Sequence, residues 1–256
     1  MAAQVRRHDP DRFLTALFAP AARRDTLLLL YAFNHELARA REAAREPMMA
    51  LIRLQWWREV VEGAQRRHEV AMPLAAALAE GRLAQADLAA MVDGREAEAE
   101  PAIATFADWQ DHVRGTAGAL ARAAGRALGA EGVQLDRIAT LGAAYGVAGQ
   151  VRSVAALARQ GRCLLPHDAL AAHGLAAAEV IARPDDARLL PLLAELGAWG
   201  RALLGEAGGA LPRPVIAAAL PAVLARRDLR RAAAPSGPRG FGDQAAVLAA
   251  FLAGRV

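Results

Sequence analysis

Residues 135–160 read LDRIATLGAAYGVAGQVRSVAALARQ, and they indicate the fold class more clearly than any other stretch. Seven of these residues are alanine, which has the highest helix propensity of all residues, and the whole chain contains 67 alanines among 256 residues. Aromatic residues, which favour strands, make up only 5% of the chain, and β-branched residues are sparse as well. The sequence therefore predicts an all-α protein with a long helix over residues 135–160.

The same signals predict further helices, which are separated by prolines and glycines. We expect them at residues 11–18, 21–45, 48–67, 74–78, 83–92, 105–128, 187–207 and 214–231. No repeat of fixed period and no shift in composition divides the chain, so residues 1–256 are expected to form a single helical domain. Residues 232–242 contain two prolines and three glycines and are expected to form a loop, followed by a short C-terminal helix within 243–256.

Composition excludes several classes of protein. Hydrophobic residues make up 55% of the chain, which argues against disorder, and no apolar run approaches the roughly 20 residues of a membrane span. The single cysteine, Cys163, excludes an intrachain disulfide framework. No two histidines are four residues apart, so a helical histidine-pair metal site is not expected. Residues 1–10 lack an apolar run, which predicts a cytoplasmic, bacterial-type protein without a secretory signal.

Arginine carries all of the positive charge. The 31 basic residues are all arginines and the net charge is +4, and we interpret the absence of lysine as a coding bias. The pairs Arg226-Arg227 and Arg230-Arg231 mark a basic helix end, which is either a solvated face or a surface for anionic lipid. No known nucleic-acid-binding motif accompanies these arginines, so nucleic acid is not an expected partner.

A series of short motifs resembles the squalene/phytoene synthase family in content and in order. The motifs are Tyr31-Ala32-Phe33, Val92-Asp93-Gly94, Thr105-Phe106, Gly115-Thr116-Ala117-Gly118, the residues 141–146 (LGAAYG), the residues 161–166 (GRCLLP) with Asp168, Leu170, His173 and Gly174, and Leu220-Pro221. The resemblance covers nearly the whole chain and implies the single-domain, all-α isoprenoid synthase fold of the trans-prenyltransferases. It also implies the family's chemistry, in which two prenyl diphosphates are joined head to head with Mg²⁺. Aspartates on two facing helices hold the metal ions, and spacings of about four residues place those carboxylates on one helix face.

The chain departs from the family pattern at these metal-binding positions. In the first motif, the positions that correspond to the aspartates are Ala38, Arg39 and Glu42. In the second motif they follow Arg152 and are Ser153, Ala156 and Leu157. Only one of them, Glu42, carries a carboxylate. Because a metal–diphosphate cluster needs anionic ligands, we expect no catalytic residues, no bound metal and no cofactor. Mg²⁺ is expected only if the chain is an active enzyme after all.

A non-canonical branch of the family gives the closer resemblance. It rests on residues 32–38 (AFNHELA), 46–47 (EP) and 52–58 (IRLQWWR). This branch includes the mitochondrial assembly factor for respiratory complex I and its alphaproteobacterial counterparts. The resemblance implies a role in complex I biogenesis at the periphery of the inner membrane, with complex I subunits or the membrane surface as partners.

The residues leave three functions open. The leading hypothesis is a non-catalytic binding or assembly factor whose cavity could hold a prenyl or quinone-like lipid. The first alternative is an active Mg²⁺-dependent prenyltransferase that uses Glu36 and Glu42 together with Asp93 or Glu98, and the second is a peripheral lipid-binding protein. The candidate residues for cavity or partner contacts are Tyr31, Asn34, Glu36, Arg53, Gln55, Trp56, Trp57, Arg58, Tyr145 and Gln150.

Overall fold

A computed structural model describes residues 1–42, 46–100, 102–230 and 239–256, except for the side chain of Glu42. Within these residues the chain is helical and contains no strand, which confirms the predicted all-α class. The α-helices are α1 (Ala2–His8), α2 (Pro10–Ala16), α3 (Ala21–Glu42), α4 (Pro47–Val61), α5 (Ala71–Ala79), α6 (Gln85–Asp93), α7 (Phe106–Val113), α8 (Ala119–Ala127), α9 (Val133–Ala158), α10 (His167–Ala172), α11 (Ala177–Ala182), α12 (Leu189–Ala207), α13 (Pro221–Arg230) and α14 (Phe241–Ala253).

Helix α9 is the centre of the molecule and packs against α8, α12 and α13. Small residues allow these helices to approach closely. A Cβ atom added at Gly142 would lie 2.2 Å from the Cβ atom of Ala121, and one added at Gly200 would lie 2.8 Å from Val147 Cγ1. The alanine and glycine content that predicts helices therefore also sets how tightly they pack.

Helices α7 and α8 form one continuous rod through a π-helical segment, Arg114–Gly118. Thr105 begins the rod with a capping box, in which its hydroxyl accepts from the Asp108 N–H and the Asp108 carboxylate accepts from the Thr105 N–H. Within the segment, the Thr116 hydroxyl donates to the His112 carbonyl at 2.7 Å. π-Bulges are frequent at functional sites, and this one forms part of the wall of the central cavity described below.

Several predicted boundaries differ from the structure. The helix expected over 48–67 ends at Val61. The one expected over 214–231 is interrupted before Pro221, because a residue that precedes proline is displaced from the helical region. The C-terminal helix begins at Phe241, inside the expected loop, and ends at Ala253. Residues 43–45 and 231–238 lie outside the described part of the chain. No helix within that part is both long and apolar enough to cross a bilayer.

Candidate functional site

Helices α3 and α9 border an open cavity of about 300 Å³, which we call the central cavity. Residues 34 and 38 of α3 line it, as do residues 145, 146, 149, 150, 153 and 157 of α9. A helix places residues three and four apart on one face, which is why these positions share the cavity wall. The sequence-predicted motif residues Ala38, Ser153 and Leu157 are thereby brought together.

Three other positions of the two motifs do not line this cavity. Arg39 lies on a different face of α3 and is 3.5 Å from Glu36 Oε1, with 54% of its side chain exposed. Arg152 pairs with Asp228 at 3.1 Å, and Ala156 is half-buried. The side chain of Glu42 lies outside the described residues. Each motif therefore has at least one position on the cavity wall and at least one position elsewhere.

A buried ion cluster forms one end of the central cavity. Glu98 Oε1 accepts a hydrogen bond from Arg95 Nη1 at 2.6 Å, and Glu98 Oε2 accepts one from Arg162 Nη2 at 3.5 Å. The Nε2 atom of His112 lies 3.7 Å from Glu98 Oε1. The side chains of the two arginines are 14% and 11% exposed and that of Glu98 is 7% exposed, so water screens the cluster weakly.

The pKa values of this cluster reflect burial and the two arginines. Burial raises the pKa of Glu98, but the charges of Arg95, His112 and Arg162 together lower it below its usual value. Burial also lowers the pKa of His112, and the attraction of Glu98 only partly offsets this effect. At neutral pH the cluster thus contains a carboxylate, two guanidinium groups and an uncharged imidazole.

A second ionic network begins at Tyr145, which also lines the central cavity. The Tyr145 hydroxyl donates to Asp11 Oδ2 at 3.0 Å, and Arg239 binds both Asp11 and Asp228. Asp228 in turn pairs with Arg152 on α9. Burial raises the pKa of the Tyr145 phenol well above its usual value, so the tyrosine remains a neutral donor to Asp11. This network links the N-terminal segment to residues that follow α13.

The described residues of the central cavity do not fit the magnesium cluster that the family motifs imply. Among the described residues, Glu98 is the one carboxylate on the cavity wall, and two arginines already occupy its oxygens. The described residues contain no group of three or more His, Cys, Asp or Glu side chains placed to hold one ion. Mg²⁺ needs several oxygen ligands in octahedral geometry, which alanine at position 38 and leucine at position 157 cannot supply.

A second depression of about 300 Å³, which we call the aromatic groove, lies on another face of α3. Its lining residues are Glu36, Arg39, Ala40, Arg53, Trp56, Trp57 and His68. The rings of Trp56 and Trp57 meet edge to face with centroids 4.7 Å apart, and Trp57 also contacts His68 at 5.2 Å. The Nη1 atom of Arg53 is buried and has no hydrogen-bond partner among the described residues.

The candidate contact residues therefore fall into three groups. Asn34, Tyr145 and Gln150 line the central cavity, and Glu36, Arg53, Trp56 and Trp57 line the aromatic groove. The remaining three line neither: Tyr31 is buried in the core, Gln55 is exposed, and Arg58 forms ion pairs with Asp93 and Glu96 at the surface. Asp93 and Glu36, two of the carboxylates considered for metal, therefore do not line the central cavity with Glu98.

The sequence does not predict the ion cluster around Glu98. Arg95 and Glu98 are three residues apart, a spacing that permits an ion pair on a helical turn, and Arg162 belongs to a quoted family motif. His112 and Arg12 also line the cavity and carry no comparable signal. Arg12 is held by Asp9 at 2.8 Å and lies 4.7 Å from the centre of the Tyr145 ring.

Comparison with known proteins identifies the class. The model of the squalene/phytoene synthase family matches residues 5–247, so the chain belongs to this family. A dehydrosqualene synthase crystal structure superposes with a TM-score of 0.78 at 15% identity and covers 98% of this chain and 94% of that one. The squalene synthase HpnC from Alicyclobacillus acidocaldarius gives a TM-score of 0.65 at 20% identity, covering 98% and 92%. The fold is the all-α isoprenoid synthase fold.

Curated relatives are named NADH dehydrogenase (ubiquinone) complex I, assembly factor 6. The Mus musculus protein is 25% identical over 226 residues, which is 86% of this chain and 68% of the relative. The Rattus norvegicus and Homo sapiens proteins are 27% and 26% identical over 188 residues, which is 71% of this chain. The match covers only 56% of the length of each of these two relatives.

Proposed function

We propose that this chain is a non-catalytic member of its family that acts by binding, as an assembly factor for respiratory complex I. The observation that carries the proposal is the composition of the central cavity. Ala38, Ser153 and Leu157 occupy motif positions on its wall, and the carboxylate found there, Glu98, is already paired with arginines. The names of the curated relatives supply the biological context.

The proposal assigns no metal and no cofactor to the chain. An active prenyltransferase would need Mg²⁺ to neutralise and release diphosphate, and those carboxylates considered for this role whose side chains are described do not gather in one place. Glu36 lies in the aromatic groove and Asp93 pairs with Arg58 at the surface. The enzymatic alternative therefore has less support than the binding role.

Pyrophosphate release tests the catalytic half of the proposal. The purified chain is incubated with Mg²⁺ and farnesyl or geranylgeranyl diphosphate, beside a family member whose aspartate motifs are intact. We expect release at the background rate from this chain and turnover from the control enzyme. Release above background that disappears in the Glu42→Ala variant would establish the prenyltransferase alternative.

We propose that partners dock on the surface beside the aromatic groove. Helix α4 exposes the apolar side chains of Met48, Met49 and Ile52, of which Met48 is 62% exposed, and the half-buried Trp56 lies on the same helix. Aromatic residues, methionine and arginine are enriched at protein interfaces. A subunit of complex I that presents an apolar segment with a carboxylate for Arg53 has the complementary chemistry.

Gene disruption tests the assembly half. In the organism that carries the chain, we expect deletion to reduce assembled complex I on native gels together with NADH:quinone oxidoreductase activity. The wild-type gene should restore both, and a Met48→Ser, Ile52→Ser double variant should not. Leu190→Ser is the matched control, because Leu190 is 49% exposed on the distant α12. Normal complex I in the deletion strain would refute the assembly role.

A second candidate function, attachment to a lipid surface at the inner membrane, is favoured by α14. Phe241, Leu248 and Leu252 are exposed at helical spacings of seven and four residues, which is typical of an interfacial helix. The basic helix end contributes less than the sequence predicts, because Arg227 pairs with Asp243 at 2.6 Å, and Arg231 lies outside the described residues. Flotation with liposomes that contain anionic lipid should recover the chain, and Leu248→Ser, Leu252→Ser should abolish recovery.

A further inference from the structure

The polar groups of the central cavity are unbalanced in favour of hydrogen-bond donors. In the described part of the chain, the guanidinium of Arg162 has a single side-chain acceptor, Glu98 Oε2 at 3.5 Å. A guanidinium carries five N–H donors and no acceptor. Arg162 lines the cavity and its side chain is only 11% exposed, so most of its donors have no side-chain acceptor among the described residues and are available to a ligand in the cavity.

Two amides increase this excess of donors. Gln150 Oε1 accepts from Trp109 Nε1 at 2.8 Å, and Asn34 Oδ1 accepts from Arg95 Nη2 at 3.0 Å. Indole and guanidinium nitrogens can only donate, so both amide oxygens must face them. The –NH₂ groups of Asn34 and Gln150 are therefore left as donors, on side chains that line the cavity.

The charges of the cavity, like its excess of hydrogen-bond donors, favour an anionic ligand. Arg95 and Arg162 share the carboxylate of Glu98, which leaves one positive charge without a counter-ion in this cluster. Arg12, the third arginine on the wall, is balanced by Asp9 at 2.8 Å. A buried charge without a partner is costly, and an anion that enters the cavity would offset that cost.

Apolar side chains form part of the remaining wall, beside the polar side chains of Thr116, Tyr145 and Ser153. The apolar lining residues of the cavity are Ala38, Val113, Ala117, Leu157 and Leu164. Its volume of about 300 Å³ lies at the lower end of small-molecule sites, which span roughly 300–1,000 Å³. A ligand that matches both parts has one anionic head group and a short apolar chain.

We propose that the central cavity binds the anionic head of a small amphiphile directly, through Arg162 and the amides of Asn34 and Gln150, without a divalent metal. The head group is a carboxylate or a phosphate, since both accept several hydrogen bonds from guanidinium and amide donors. This inference rests on the non-catalytic role proposed above, because fixed arginine charge replaces metal ions that the cavity cannot hold. The inference specifies the charge of the ligand's head group as well as its apolar chain.

Calorimetric titration of the whole chain tests the proposal with three probes: geranyl phosphate, decanoate and the uncharged alcohol geraniol. We expect at least one of the two anions to bind in EDTA, and to bind with the same affinity when Mg²⁺ replaces EDTA. Geraniol should bind at least about tenfold more weakly, since it cannot form the charge-assisted hydrogen bonds. The two anions also distinguish a phosphate head from a carboxylate head.

Two variants examine the site itself. Arg162→Gln should weaken binding of the preferred anion by about tenfold or more, whereas Arg159→Gln, at an exposed position just beyond α9, should leave it unchanged. Ser153→Asp keeps Arg162 but adds a carboxylate to the cavity wall, so it should weaken binding as well. This second variant keeps the test decisive if Arg162→Gln fails to fold.

Several outcomes would overturn the inference: no anion binding in EDTA, a requirement for Mg²⁺, equal affinity for geraniol, or wild-type affinity in both Arg162→Gln and Ser153→Asp. These outcomes are separate from the failure of the proposed function. Pyrophosphate release from a prenyl diphosphate would contradict the non-catalytic role, whereas the probes used here contain no diphosphate and report only binding.

Discussion

The central cavity and the aromatic groove share helix α3 as a wall, have similar volumes and differ in chemistry. Asn34 and Ala38 face the cavity, whereas Glu36 and Arg39 face the groove. The cavity holds an ion cluster whose members are mostly buried, and the groove is built on the rings of Trp56 and Trp57. Loss of motif carboxylates is evident on the cavity side, while the groove keeps a carboxylate in Glu36.

The comparison separates two kinds of binding. A cavity that is partly enclosed, rich in donors and positively charged suits a small anionic molecule. A groove beside exposed apolar residues such as Met48 and Ile52 suits the surface of another protein. One helix can therefore serve two roles at once, provided that each face can be changed without disturbing the other.

Trp57→Ala should have the largest effect on stability and should disrupt the packing of the aromatic groove. Trp57 is 5% exposed and contacts Phe33 edge to face at 5.4 Å. Removing a buried tryptophan leaves a cavity, which should reduce the free energy of unfolding by about 4 kcal/mol. Urea unfolding measures this loss. Trp56→Ala, at a half-buried position on the same helix, should cost clearly less, and equal losses would contradict the deeper burial of Trp57.

Glu98→Gln should separate stability from anion binding in the cavity. The variant leaves Arg95 and Arg162 without their carboxylate, which should cost about 3 kcal/mol of stability because a buried pair loses one partner. The same change raises the positive charge of the cavity, so affinity for the anionic probe should rise. Denaturant unfolding and calorimetric titration measure the two effects. A variant that loses both stability and binding would contradict the charge assignment.

Helical periodicity explains how much of this comparison the sequence could predict. The motif alignment places Ala38, Ser153 and Leu157 on facing helices, and their spacing of four residues within α9 places the last two on one side. The structure agrees for these three. Trp56 and Trp57 are adjacent on α4 and both line the groove, although Trp57 is buried and Trp56 is half-buried.

The ion cluster was beyond sequence reasoning for a physical reason. Glu98 lies in a single 3₁₀ turn, Glu96–Glu98, and His112 lies on α7, while Arg162 follows α9. These groups meet only after the chain has folded, across 64 residues in the case of Glu98 and Arg162. Local propensity carries no information about such contacts, and in a chain with 31 arginines no single arginine is conspicuous.

The dependence of the free energy of unfolding on pH should reveal the protonation of His112 in the cavity. Burial lowers the pKa of His112 in the folded state, whereas in the unfolded chain a histidine titrates near 6.5. Below about pH 6.5 the unfolded state therefore binds a proton that the folded state does not, and stability falls as the pH falls. The pKa of Glu98 is lowered, so its own contribution is lost only below about pH 4.5.

We expect the free energy of unfolding to decrease between pH 7 and pH 5 through this histidine, by at most about 2 kcal/mol. His112→Gln should remove that part of the decrease while keeping a polar side chain beside Glu98. Urea unfolding at a series of pH values measures the difference. Identical slopes for the wild type and the variant would contradict the lowered pKa of His112, because a histidine with the same pKa in both states contributes no pH dependence.

Arg58→Ala should have the smallest effect, because Arg58 lies outside both sites. It pairs with Asp93 and Glu96, whose side chains are 56% and 52% exposed, and water screens such pairs strongly. The loss should be about 0.5 kcal/mol and should shrink at high salt. Anion binding should not change, since the pair does not line the cavity. A weaker affinity for the anion in this variant would mean that the position of Arg95, which is near Asp93 in the chain, depends on the surface ion pairs. The surface and the cavity would then be coupled, although the exposed fractions of Asp93 and Glu96 indicate that these pairs lie outside the cavity.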